Sequence, residues 1–132
     1  LQSKLGANVI LIGDQSELDV SLEIVEKSII KPSVLTGKTS LAESTAILSL
    51  SDLTVSNDTG PAHISAALGT RTIVIFGPTN PKTTYPMGAE IIRKDVDCSP
   101  CMLRDCPIDH RCMTNISAEE VFRKIEVLLK ND

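Results

Sequence analysis

Five short apolar runs divide the chain, and each of the first three leads through a turn into apolar residues at helical spacing. Ala7–Ile12 is broken only by Asn8, as in a strand buried on both faces of a parallel sheet. Gly13-Asp14-Gln15-Ser16 then has turn chemistry, and a helix is expected from about Glu17 to Ile30, with Leu18, Leu22, Val25 and Ile29 as its stripe. Pro32 ends that pattern. Ser33–Thr36 reads as a second strand and Gly37-Lys38-Thr39 as its turn. Ser40 and Glu43 have capping-box spacing, opening a helix whose apolar face is Leu41, Ile47, Leu48 and Leu50.

The next strand, Leu53–Val55, runs into Ser56-Asn57-Asp58-Thr59-Gly60-Pro61, and a small-residue helix follows over Ala62–Leu68 and stops at Gly69. Arg71–Phe76 is β-branched and strand-like. Gly77–Gly88 is a stiff loop with prolines at 78, 81 and 86, and Ala89–Arg93 is the last strand. Ser117 and Glu120 repeat the capping-box spacing before a helix carrying Val121, Ile125, Leu128 and Leu129. The expectation is a single α/β domain over residues 1–132. It is a three-layer, Rossmann-like domain with a mostly parallel sheet of about five strands.

Composition narrows function. Apolar residues make up 42% of the 132, enough for a packed core, while aromatic residues are only 2% and the net charge is −4. Stacking platforms for single-stranded nucleic acid and a broad basic footprint are both disfavoured. No apolar run approaches the roughly 20 residues that span a bilayer, and no secretory leader opens the chain. A cytoplasmic protein is expected. Leu1–Gly6 reads as the tail of a helix without an initiator Met, so a fragment of a longer protein is expected.

Familiar chemical motifs fail. Gly37-Lys38-Thr39 resembles the end of a P-loop, but Pro32 stands where the first glycine is needed. No G-x-G-x-x-G follows a strand, no G-x-S-x-G occurs, and neither His63 nor His110 has an H-E-x-x-H setting. What remains is a rim of turns at the C-terminal ends of parallel strands: 13–14, 36–40, 56–60 and 77–82. Open α/β sheets bind ligands there, and a helix starting at Gly60 presents free amides and a positive dipole end to an anion. A carboxylate repels phosphate at short range, so Asp58 suits sugar hydroxyls or turn orientation, and the amides of Thr59 and Gly60 suit phosphate. The competing reading is that Asp58 or Thr59 merely caps the helix and His63 packs as a structural residue.

Cys98, Cys101, Cys106 and Cys112 lie in the loop spanning 95–116. Their spacing, C-x₂-C then x₄ and x₅, lacks the second C-x₂-C pair of a two-knuckle zinc site. Structural thiols are favoured over zinc or an iron–sulfur cluster, and disulfides are disfavoured in a reducing compartment. No metal or cofactor is expected.

Ser56-Asn57-Asp58-Thr59-Gly60-Pro61-Ala62-His63-Ile64-Ser65-Ala66-Ala67-Leu68-Gly69 resembles the signature of the ADP-heptose:lipopolysaccharide heptosyltransferase family. Phe76–Pro81, Gly37–Leu41 and the cysteine-spaced tail ending Cys112-Met113 are similar to further blocks of that family, in its order. The resemblance implies the C-terminal, donor-binding half of a two-domain glycosyltransferase of GT-B architecture. It implies that Asp58, Thr59 and Gly60 meet the sugar and diphosphate of ADP-heptose, with His63 beside the diphosphate. Lys38 and Thr39 would also bind donor, the backbone around Thr39 meeting adenine, and Glu17 would take the ribose hydroxyls. It places the catalytic base and the lipopolysaccharide-core acceptor site in an N-terminal domain outside this chain, so the fragment alone is expected to be inactive. It also implies peripheral association of the full enzyme at the inner membrane. A non-catalytic nucleotide- or sugar-binding module, another nucleotide-sugar glycosyltransferase and a zinc-stabilised interaction domain are the alternatives.

Overall fold

The computed structural model describes residues 1–130. It is α/β, and its five strands pair in parallel, as a two-stranded and a three-stranded ladder where one sheet of about five strands was expected. The chain divides into two compact units, residues 1–46 and 47–132.

In the first unit, helix α1 (Gln2–Leu5) ends at Gly6, whose φ of 64° is the left-handed conformation that glycine adopts without a Cβ clash. Strand β1 (Ile10–Leu11) pairs with β2 (Ser33–Val34). The pairing extends in both directions through Ser33 N to Val9 O, Leu35 N to Leu11 O and Gly37 N to Gly13 O, each at 2.9 Å. Between the strands lie a 3₁₀ turn (Gln15–Glu17) and helix α2 (Leu18–Lys27).

The helix expected to reach Ile30 stops at Lys27, because Ser28 is already extended. The anticipated stripe is also only partly inward: Leu22 is half-exposed and Ile29 is 98% exposed. The buried position on α2 is Ser21, whose Oγ lies 2.7 Å from the buried Thr36 Oγ1. A buried hydroxyl pair thus joins α2 to the end of β2, alongside the part-buried Leu18 and Val25.

Helix α3 (Leu41–Leu50) begins at the expected capping box. Ser40 N donates to Glu43 Oε2 at 2.8 Å, and Glu43 N donates back to Ser40 Oγ at 3.3 Å. Of its anticipated apolar face only Leu48 is buried, while Leu41 and Leu50 are exposed.

The second unit holds the core. Strands β3 (Leu53–Asn57), β4 (Arg71–Phe76) and β5 (Glu90–Arg93) form a ladder in that order. Helix α4 (Gly60–Ala67) connects β3 to β4, and its Ala62 and Ala66 pack on Val74, Phe76, Ala89 and Ile91. Thr72, Ile73 and Val74 are all buried, so both faces of β4 are covered. Small residues let α4 lie close to the strands. Gly69, at φ 79°, closes it as Thr70 N reaches back to Ser65 O at 3.1 Å.

Helices α5 (Pro81–Thr84), α6 (Arg111–Thr114) and α7 (Ala118–Lys130) complete the chain. The second expected capping box forms only halfway. Glu120 N donates to Ser117 Oγ at 3.1 Å, but the Glu120 carboxylate pairs instead with Lys94 Nζ at 2.6 Å. With Lys124–Glu90, also at 2.6 Å, that pair ties α7 to β5 and its flank.

Candidate functional site

Three of the expected donor-binding residues lie at strand ends of the first unit. Asp14 caps the 3₁₀ turn, its Oδ1 accepting from Ser16 N at 2.7 Å, and the Ser16 hydroxyl holds the Asp14 carboxyl below its usual pKa. In return Asp14 N donates to Glu17 Oε2 at 3.0 Å. This capping box, unremarked in the sequence, folds the Glu17 carboxylate over the end of β1. A Cβ on Gly13 would collide with that carboxylate, and a Cβ on Gly37, at φ 72°, would collide with the Gln15 carboxamide. At Gly37 the left-handed φ and the Gln15 backbone favour glycine, whereas at Gly13 only the movable end of the Glu17 side chain stands close. Lys38 Nζ donates to Val34 O at 3.2 Å, and Thr39 Oγ1 is 2.8 Å from Ser44 Oγ.

The remaining expected residues are brought together in the second unit, where β3 runs into α4. Thr59 is the N-cap residue of α4, with extended backbone, but its side chain makes no capping bond. Its hydroxyl lies 3.1 Å from Ser56 Oγ and 3.4 Å from Asn57 O instead. Asp58 does not cap the helix either. Its Oδ2 accepts from Thr84 Oγ1 at 2.7 Å, and its Oδ1 lies 3.6 Å from His63 Nε2. The Asp58 side chain is 8% exposed and that of His63 49% exposed. His63 thus stands half-exposed beside a nearly buried carboxylate, and the Thr59 side chain does not cap α4.

The consequence is an open helix end. Pro61 has no N–H, and Ala62 N donates to Thr59 O at 3.1 Å. Among the described residues the Gly60 amide has no partner. Gly60 has no positive φ, and a Cβ there would meet nothing within 4 Å. The following Pro61 crowds any Cβ before it in a helical conformation, and no more distant contact demands the glycine. Its effect is to leave space over an uncapped helix N-terminus, where a ligand anion is electrostatically favoured.

Sequence reasoning flagged the proline-rich loop after β4 but missed Thr84, the residue in it that reaches Asp58. Asn80 caps α5 by accepting from Lys82 N at 3.0 Å, and this turn carries Thr84 to Asp58. In the same loop Thr79 Oγ1 is buried without a partner among the described residues.

The cysteine segment packs against the start of that loop. Ser99 Oγ donates to Gly77 O at 2.7 Å and Met102 N to Pro78 O at 2.9 Å. All four thiols line one largely apolar cavity with Pro78, Leu103 and Pro107. Cys98, Cys101 and Cys106 are exposed and Cys112 is buried. Burial, reinforced by the neighbouring thiols, pushes the Cys112 thiol up in pKa. Among the described residues no three His, Cys, Asp or Glu side chains are placed to hold a metal ion.

Parallel strands feeding turns, with an uncapped helix end beside a held carboxylate, define an α/β domain with an open strand–turn–helix junction. Residues 1–111 match glycosyltransferase family 9 (heptosyltransferase), and the chain belongs to that family. It is 35% identical over 113 residues to lipooligosaccharide heptosyltransferase 2 of Campylobacter jejuni serotype O:2, a match covering 83% of this chain and 35% of that protein. The glycosyl transferase family 9 structure from Veillonella parvula aligns with a TM-score of 0.80 at 26% identity, over 98% of this chain and 38% of that one. The ADP-heptose lps heptosyltransferase II of E. coli aligns with a TM-score of 0.77 at 24% identity, over 92% of this chain and 36% of that one, a likeness of fold. The chain thus spans about a third of the length of the relatives it matches. Among the described residues no helix is long and apolar enough to cross a membrane.

Proposed function

We propose that this chain is the donor-binding half of an inverting heptosyltransferase of lipopolysaccharide core assembly, and that its donor is ADP-heptose. The observation that carries the reading is the uncapped N-terminus of α4, with a partnerless Gly60 amide and open space above it. The family match and the heptosyltransferase named among the relatives support the sugar.

In this reading the donor diphosphate meets the amides at Thr59 and Gly60, where the helix dipole offsets its charge. The free edge of Asp58 accepts from sugar hydroxyls, and exposed His63 adds a donor beside the diphosphate. A general base outside this chain deprotonates the acceptor hydroxyl. That oxygen attacks the anomeric carbon, the bond to the ADP oxygen breaks, and ADP leaves with the electron pair. This chain's part is to stabilise the departing diphosphate.

The test is calorimetry of the full-length protein with ADP and UDP, followed by transfer from ADP-heptose to a heptose-deficient core acceptor. ADP binding without UDP binding, and transfer by the full-length protein but not by residues 1–132 alone, are the expected results. Binding of ADP without any transfer would favour a non-catalytic nucleotide-binding module.

A further inference from the structure

We propose that Thr84 is a positioning residue whose hydroxyl holds the Asp58 carboxylate off the N-terminus of α4, keeping that terminus free for the ligand anion. The proposal rests on the donor-site reading above and adds to it a residue that touches neither phosphate nor sugar.

Thr84 Oγ1 has two acceptors in range, Asp58 Oδ2 at 2.7 Å and Asn80 O at 3.1 Å. Its single proton belongs to Asp58. Asn80 O already receives Thr83 N at 3.0 Å, Thr84 N at 3.1 Å and Thr83 Oγ1 at 3.0 Å, which is more than two lone pairs can use. A charged acceptor also makes the stronger bond. Thr84 is therefore not needed to cap its own turn.

Asp58, by contrast, needs Thr84. Its side chain is nearly buried, and His63 Nε2 at 3.6 Å is too far for a hydrogen bond. A carboxylate freed from Thr84 would be left without a bonded partner beside a partnerless amide two residues on. Turning onto Gly60 N would satisfy both groups as an i→i+2 Asx turn. It would also put a negative charge where the diphosphate must sit, and like charges at that range repel strongly. The stiff turn at Asn80-Pro81, with the Tyr85 hydroxyl donating to Ala89 O at 2.9 Å, fixes Thr84 in place.

The experiment compares full-length wild type, Thr84→Val and Thr84→Ser by ADP calorimetry and by crystallography. Valine keeps the shape and removes the hydroxyl, while serine restores it. Thr84→Val is expected to weaken ADP binding about tenfold or more, with Thr84→Ser within about threefold of wild type. The Thr84→Val crystal structure is expected to show Asp58 turned onto the Gly60 amide and the 81–84 turn unmoved. Asp58 unmoved in Thr84→Val overturns the proposal whatever the affinity, and so does a Thr84→Ser protein as weak as Thr84→Val. If wild type binds no ADP, the donor-site reading fails by itself, and the position of Asp58 in the two crystal structures still decides the role of Thr84.

Discussion

Ser65 Oγ lies 2.8 Å from Thr72 Oγ1, and both residues are buried where α4 crosses β4. Ser65 also donates to Thr54 Oγ1 at 2.8 Å, so one hydroxyl on the helix engages both β3 and β4. The helix that presents Gly60 is therefore held to the sheet by polar bonds as well as by its alanines. Ser65→Ala removes the shared partner and leaves Thr54 Oγ1 without its donor, while Thr72 Oγ1 keeps its bond to Thr70 O at 2.8 Å. It is expected to cost about 1–3 kcal/mol, measured by urea denaturation of the full-length protein.

Gly60 tests the site with little risk to the fold. Because a Cβ there meets no atom within 4 Å beyond its chain neighbours, Gly60→Val is expected to cost only the local crowding of a β-branched residue against Pro61, on the order of 1 kcal/mol. The added side chain stands over the open amide, so ADP affinity is expected to fall about tenfold or more in calorimetry. A folded variant that binds ADP as well as wild type would remove the phosphate from this turn.

The strands and the Asp58-Thr59-Gly60 junction were legible because their signals are local. Period-2 and continuous apolar runs mark strands, and Asn-Asp-Thr-Gly-Pro after a strand marks a turn into a helix. Helix facing was less legible. Leu22, Ile29, Leu41 and Leu50 fit a helical stripe yet are exposed, while Ser21 is buried by its bond to Thr36. A hydroxyl partner fifteen residues away leaves no periodic trace. The link from Thr84 to Asp58 spans 26 residues and was invisible for the same reason. Likewise the Ser117 box predicted from spacing lost its return bond because Lys94, distant in sequence, captured Glu120.

Thr79 offers the opposite case to Thr84 within one loop. Its buried hydroxyl has no partner among the described residues, so it carries a desolvation cost with no return. Thr79→Val keeps the branched shape and deletes the oxygen. It is expected to be neutral or to stabilise the protein by up to about 1 kcal/mol, and to leave ADP affinity unchanged. Thermal unfolding of the two threonine variants side by side checks the contrast.

Cys112 predicts an alkaline limit to stability. An acid whose folded pKa lies above its unfolded value, here ordinarily 9.0, favours the folded state while protonated. Below about pH 9 that contribution is fully present. As pH rises from there through the folded value, the unfolded chain ionises first, the unfolded state binds fewer protons, and stability falls. Cys112→Ala should flatten this alkaline loss, at the cost of a small cavity beside Gly77. The same burial protects the thiol, since thiolate is the reacting form. At pH 8 iodoacetamide is expected to modify Cys98, Cys101 and Cys106 in the folded protein, and Cys112 only after denaturation. Mass spectrometry of the labelled peptides reads this directly, and labelling of Cys112 at the rate of the other three would show that the 95–116 segment opens on the timescale of the reaction.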